Sequence, residues 1–263
     1  MRIVGRVESL WRYPVKSMRG EPLREAFAGF AGVYGDRVYA FLSTASPKGF
    51  PYFTARDQRS MLGYRACFRY PDRMAAPPNL LDAEALPPGV TPLYAQAGDL
   101  MVDVETPSGE VMAVDDPRLL DLLRVGARDG HVLSLQRSER ALTDCRPLSL
   151  LSIQTVQQIG QEVGLELDKR RFRANAFVDL SSGIGFGENE WVGRRLRIGH
   201  KAEMALTDRD PRCKMITLDP ATGAASPEII KGVTSDHEGT AGVYAAVLVE
   251  GVIREGDEIA LLD

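Results

Sequence analysis

The chain is cut into short runs of β-branched and aromatic residues, each closed by proline or glycine, and this punctuation limits the folds open to it. "IVGRVESLWRYPV" stops at Pro14, and "GDRVYAFLST" starts after Gly35 with strand formers at Val38, Tyr39 and Phe41. "ACFRYP", "DLMVDVETPSG" and "EVMAV" follow, the last two joined by a Pro-Ser-Gly turn. The final third repeats the habit in "RANAFVDL", "RRLRIG", "AEMALT", "KMITLD", "GVYAAVLVEG" and "REGDEIALL". Many short strands between such turns favour a barrel or sandwich over a parallel βαβ array.

Two segments carry helical spacing instead. "DDPRLLDLLRVG" has Asp116 as N-cap, Pro117 in the first helical position and Gly126 just past the end. "SIQTVQQIGQEVG" starts at the N-cap candidate Ser152, places Ile153, Val156, Ile159 and Val163 on one face, and closes at Gly164. The polar stretch between these helices sets the expected domain boundary near residue 135. The expected fold is therefore mostly β with helices (α+β), a barrel-like domain over 1–135 packed on a second barrel over 136–263. "PDRMAAPPNLLDAEALPPGVTP" is Pro-rich and reads as a long surface loop, and the Gly-rich "SSGIGFGENEW" as a flexible one.

At 263 residues the chain can bury a sizeable core, and a formal net charge of -4 argues against a general nucleic-acid binder. The start, "MRIVGRVESLWRYPVKS", lacks the apolar stretch of a signal peptide, and no run approaches the roughly 20 apolar residues of a membrane span. The expectation is a soluble, cytoplasmic protein, with no membrane partner and monomeric. Three cysteines, Cys67, Cys145 and Cys213, lie far apart, with neither CxxC nor Cys/His ligand spacing.

Cys213 sits in "DRDPRCKMITLDPATG" among Arg209, Arg212 and Lys214. Neighbouring cations favour the thiolate, the reactive and metal-binding form, and sulfur selects thiophilic metals; a plain buried cysteine at a strand start fits the same pattern. In "YPVKSMRG", Lys16, Ser17 and Arg19 cluster at a bend suited to an anion, or to water. "FTARDQ" supplies Thr54 and Arg56, a ligand contact or a surface salt bridge. "RRFRANAFVDL" sets Arg173 and Asn175 two apart, hence on one face of a strand, where they would read a ligand or tie down a loop. None of His131, His200 and His237 stands in a zinc-hydrolase pattern, and His237 is the nearest base candidate for a cysteine nucleophile.

Together these pieces resemble a known family. "RCKMITLDPATG" is similar to the cysteine signature of MOSC domains, named after the C-terminal domain of molybdenum cofactor sulfurase. "YPVKSMRG", "GDRVYAF" and "FTAR" resemble the β-barrel domain that precedes MOSC in the amidoxime-reducing component family, and "RFRANAFV", "WVGRRLRIG" and "GVYAAVLVEGVIREGDEI" match in order and spacing. The resemblance implies the molybdenum cofactor, with Cys213 as catalytic metal ligand and Lys16, Ser17, Arg56, Arg173, Asn175 and Arg212 as cofactor-binding residues. It also implies a signature shared with a pyridoxal-phosphate-binding superfamily. Pro211 and Ala174 depart from the family's pattern, as does "KMITLD", where relatives commonly carry a second threonine.

The activity implied is reduction of N-hydroxylated small molecules. With no four-cysteine iron–sulfur pattern and no flavin or nicotinamide fingerprint, electrons must come from an external partner, a reductase or an iron–sulfur or haem protein. Two alternatives stand beside it: a cofactor carrier or persulfide-transfer protein using Cys213, and a cysteine hydrolase or peroxidase.

Overall fold

The computed structural model describes residues 1–74, 77, 85, 96–127 and 130–262. Its centre is a closed seven-stranded barrel. The strands are β1 (Arg2–Arg12), β11 (Leu148–Ser152), β12 (Ala176–Leu180), β13 (Arg195–Ile198), β14 (Ala202–Pro211), β15 (Thr240–Val249) and β17 (Glu258–Leu261), running β12-β11-β15-β14-β13-β17-β1, with β1 pairing back onto β12. Only β11 and β12 run parallel; the other barrel neighbours are antiparallel. The barrel is filled by alternation. Ala176, Val178 and Leu180 of β12 point inward with Val243, Ala245 and Val247 of β15, while Phe177 points outward beneath the helices.

The strand that closes the barrel comes from the start of the chain. Arg2 pairs with Leu261 on one edge of β1, and Gly5 to Leu10 pair with Leu180 to Ala176 on the other. A Cβ on Gly5 would stand 2.4 Å from the Asp179 carbonyl oxygen, so the β1–β12 approach requires glycine there. A boundary near residue 135 thus divides the sequence without dividing the sheets. β16 (Gly251–Arg254) crosses it the other way, pairing with β3 (Glu25–Gly29), which also holds β4 (Gly32–Val33).

The remaining strands form small antiparallel sheets. β5 (Tyr39–Ser43) lies between β6 (Tyr52–Phe53) and β10 (Leu133–Arg137), and β8 (Val102–Glu105) between β7 (Arg65–Phe68) and β9 (Val111–Ala113); β2 (Glu21–Leu23) extends β1. Phe27, Phe41, Phe53, Met61, Leu119 and Leu123 build their shared core.

Both expected helices are present. Over Pro117–Arg124 the Asp116 carboxylate accepts the Arg118 amide at 2.9 Å, and over Ile153–Val163 Ser152 Oγ accepts the Thr155 amide at 3.0 Å, with Gly164 left-handed at the end. A third helix, Pro227–Asp236, escaped the sequence reading although Pro227 opens it and Ile229 and Val233 bury one face. Two segments differ from expectation. "KMITLD" is a 3-10 turn, Lys214–Thr217, because Cys213 caps it and Asp219 folds the following residues into a turn. The Gly-rich "SSGIGFGENEW" is pinned: fully buried Glu188 accepts from the Ser152 and Thr155 hydroxyls at 2.8 Å each. Apart from the single helical turn Pro71–Met74, the Pro-rich segment lies almost wholly outside the described residues.

Candidate functional site

The segment after β1, the 54–56 turn, the 138–147 connection, the 171–175 turn and the end of β14 converge on one cavity of about 120 Å3. Lys16, Ser17, Arg56, Arg173, Asn175, Arg212 and Cys213 all line it. Residues as far apart as Lys16 and Cys213 thus meet at a single surface, which none of the local motifs could show.

Cys213 is a free, half-buried thiol two residues past the end of β14. Its sulfur accepts the Met215 amide at 3.5 Å, so the first turn of the short 3-10 helix points a backbone N–H at it. The flanking cations serve other ends. Arg209 pairs with Glu238 at 3.2 Å, Lys214 is exposed, and Arg212 is a clamp, donating to the carbonyls of Ala241 (2.7 Å) and Phe172 (2.9 Å) and lying 2.8 Å from the Asp210 carboxylate. Of the three cations beside Cys213, Arg212 thus ties the end of β14 to its neighbours, while Arg209 and Lys214 stand at the surface. Asp210 is buried, which raises its carboxyl above the usual range even though Arg212, Ser149 and Tyr244 favour the charged form.

Cations from elsewhere in the chain line the same cavity. Buried Lys16 donates to Leu142 O at 2.7 Å, contacts the Asp144 carboxylate and lies 4.6 Å over the Tyr52 ring; burial lowers its ammonium below the ordinary lysine value, with Asp144 opposing. Arg56 stacks on Phe50 at 4.4 Å and donates to Thr54 Oγ1 at 3.3 Å. Arg173 does not lie on a strand face with Asn175, because β12 starts only at Ala176. Arg173 is left-handed (φ 54), donates to Met18 O at 2.9 Å, and leaves its buried Nη2 without a hydrogen bond. Asn175 is a brace: its Oδ1 accepts the Ser149 amide at 3.3 Å and its Nδ2 donates to Trp11 O at 3.4 Å.

Arg37, Tyr13 and Asp144 carried no signal that singled them out, whereas Arg171 stood beside Arg173 and Asn175 in "RRFRANAFVDL". Arg37 and Arg173 both lie over the Tyr13 ring, at 4.7 and 4.2 Å. Burial, reinforced by Arg37, holds Arg173 down to about 10 although Tyr13 favours its charged form, and burial pushes the Tyr13 phenol up to about 12. Ser17, Arg37 and Arg173 are three of the five non-glycine residues with positive φ among the described residues, so local backbone strain gathers at this cavity.

The cavity's charge is decided by pairing. Among the described residues Lys16, Arg37, Arg146, Arg171 and Arg212 each have a carboxylate partner, whereas Arg56 and Arg173 have none. The wall is therefore net positive beside a thiol. No histidine lines it. His237 instead meets Glu162 at 2.7 Å and stacks on Phe186 at 3.7 Å beside a different depression, so a Cys213–His237 pair is not formed.

A family profile described as the MOSC domain matches residues 137–260, and one described as the MOSC N-terminal beta barrel domain matches residues 4–73. The chain belongs to the MOSC family. Cys213, Arg173, Asn175 and Arg212 fall within the MOSC match, and Lys16, Ser17 and Arg56 within the N-terminal one, so the cavity of this MOSC protein is shared by both. Among solved structures it is similar to the YuaD protein from Bacillus subtilis, at 12% identity over 98% of this chain and 96% of that one, TM-score 0.47. It is also similar to YiiM from Geobacillus stearothermophilus (18% identity, TM-score 0.36) and YiiM from Escherichia coli (14%, 0.32), each covering 45% of this chain and 55% of that one. The MOSC chain thus spans about half the length of the two YiiM structures. No curated protein sequence matches it.

Some MOSC proteins bind the molybdenum cofactor. The residues present suit such a group. Among the described residues no three His, Cys, Asp or Glu side chains gather to hold a bare metal ion, so a metal here would bring most of its ligands with it and take one soft donor from Cys213. The unpartnered Nη2 of Arg173 and the unpaired Arg56 supply donors for an anionic, hydrogen-bonding ligand. Neither profile bears on pyridoxal phosphate, and the cavity's one lysine is already engaged with Asp144.

Proposed function

We propose that the cavity holds the molybdenum cofactor, a pterin dithiolene ending in a phosphate, and that the protein is a cytoplasmic, monomeric oxidoreductase reducing N-hydroxylated small molecules. The observation that carries this reading is one half-buried thiol sharing a cavity with two guanidiniums, Arg56 and Arg173, that have no carboxylate partner among the described residues. When bound, the cofactor supplies a redox centre able to remove the oxygen of an N-hydroxyl group as water.

The chain's residues have separate tasks. Cys213 is the protein's metal ligand, held at the cavity by the Met215 amide. Arg56, Arg173 and Lys16 neutralise the phosphate and Ser17 contributes a hydroxyl beside them. Asn175 and Arg212 act as positioning residues, since their polar atoms already brace β1, β11 and β15. Electrons come from an external redox protein.

The test is molybdenum and pterin content per chain, for wild type and Cys213→Ala, expressed in a host that makes the cofactor. Near-stoichiometric metal in wild type, with loss of metal and of dye-driven hydroxylamine reduction in Cys213→Ala, is the expected result. Well-folded wild type free of molybdenum and pterin overturns it.

A further inference from the structure

Residues 138–147 form a strap without strand or helix, and Thr143, Asp144 and Arg146 of it line the cavity. Its first half is fixed by backbone bonds: Ser138, Ala141 and Leu142 donate to the carbonyls of Val38, Ala31 and Arg37 at 2.8, 3.2 and 2.9 Å. From Thr143 to Pro147 the attachments among the described residues are two side-chain ion pairs, Asp144 with Lys16 and Arg146 with Asp208 at 3.1 Å. The second pair is about half exposed at both ends and contributes little.

Asp144 differs from the cavity's other acid. Asp210 is buried beneath Arg212 and hydrogen-bonded by Ser149 at 2.7 Å, so it is part of the wall. The Asp144 side chain is half exposed, yet its carboxylate contacts buried Lys16 and its charge also acts on Arg37 and Arg173. It therefore occupies the place in the field where an incoming anion would be drawn.

We propose that Asp144 is a built-in stand-in for a phosphate group of the ligand: its carboxylate holds Lys16 until a phosphate displaces it, and the free half of the strap then lifts. This rests on the reading of the cavity as an anion-binding site. It makes Asp144 a positioning residue that restrains Lys16 and closes the unfilled cavity. Exchange of one anion for another leaves Lys16 charged and paired throughout, so filling the site strands no buried cation. Exposed Cys145, next to Asp144, reports on strap motion.

The test uses the full chain from a host unable to make a pterin cofactor, with inorganic pyrophosphate as probe. Calorimetric titration is expected to show binding to wild type, binding about three- to tenfold tighter to Asp144→Asn, which no longer competes for Lys16, and little binding to Lys16→Met. Peptide-resolved alkylation of Cys145 is expected to accelerate in wild type when pyrophosphate is added, a measurement that needs no variant. Equal affinity in wild type and Asp144→Asn with unchanged Cys145 reactivity overturns the displacement while leaving the anion site standing. Weaker binding by Asp144→Asn overturns it by making Asp144 an aid to binding. No binding of pyrophosphate to any form overturns the anion-site reading, and this inference with it.

Discussion

Tyr13 is the residue on which the cavity's cationic wall rests, because two guanidiniums of like charge share its ring. Tyr13→Phe keeps the ring and loses the hydroxyl's 3.2 Å bond to Ala174 O, an expected cost of about 1 kcal/mol in urea unfolding. Tyr13→Leu also removes the π surface and leaves Arg37 and Arg173 adjacent without it; the expected cost is about 3 kcal/mol, with a fall in cofactor content. Equal costs for the two variants would show that the ring does not hold the cations. At this scale the sequence was partly legible. Lys16, Ser17, Arg56, Arg173, Asn175, Arg212 and Cys213 were all picked out, through motif resemblance, and all reach one cavity. Their tasks were less legible. Of the flanking arginines of Cys213, Arg212 turned out to be a clamp and Arg209 a surface ion pair, because charge near a thiol in sequence says nothing about where a long side chain bonds. Tyr13 and Arg37 lay inside stretches read as strand and turn, and their stacking across 24 positions leaves no local trace.

Among the elements, the β14–β15 ladder and the turn after Cys213 set the thiol in place. Between Arg209–Val243 and Pro211–Thr240 the register shifts, and Gly242 takes up the irregularity at φ 81. A Cβ there would sit 2.6 Å from Leu150 O and 3.2 Å from Arg212 Nη2. Gly242→Ala is therefore expected to cost about 2–4 kcal/mol and to lower molybdenum content, since it moves the Arg212 clamp. In the turn, burial pushes against the charged Asp219 carboxylate, but the amides of Thr222 and Ala221 and the nearby Arg171 hold it below the usual range. A carboxylate depressed in the folded state stabilises above its unfolded pKa and loses that contribution as pH falls through the folded value. Asp219→Ala should therefore unfold more easily at neutral pH, by about 1 kcal/mol, and lose less stability than wild type as pH falls below the ordinary aspartate range. An unchanged acid limb would exclude this carboxylate as a contributor. Strands with clear alternation were read correctly, whereas "KMITLD" was not, since a cysteine cap and an aspartate turn override β-propensity.

The whole molecule is tied together by β1, which lies within the N-terminal profile match yet closes a barrel otherwise built from residues 148–261. Residues 136–263 expressed alone are expected to leave β12 and β17 as open edges and to give a dye-binding, poorly dispersed species instead of a native fold. A sharp, cooperative unfolding transition from that fragment would contradict this. Pairing partners of such separation are what a single sequence conceals, because periodicity reports which face is buried and not which strand lies alongside. The same closure has a cost in time. During synthesis β1 emerges first and its partner β17 some 250 residues later, a wait of roughly ten to fifty seconds at ordinary elongation speeds. Throughout that interval the edge of β1 that β17 will cover, Arg2 to Arg6, is an unpaired template, although β2 and later β12 are available to its other pairing positions. The exposed Arg2, Arg6 and Glu8 along it then act as guards, discouraging pairing with neighbouring nascent chains until the barrel can shut.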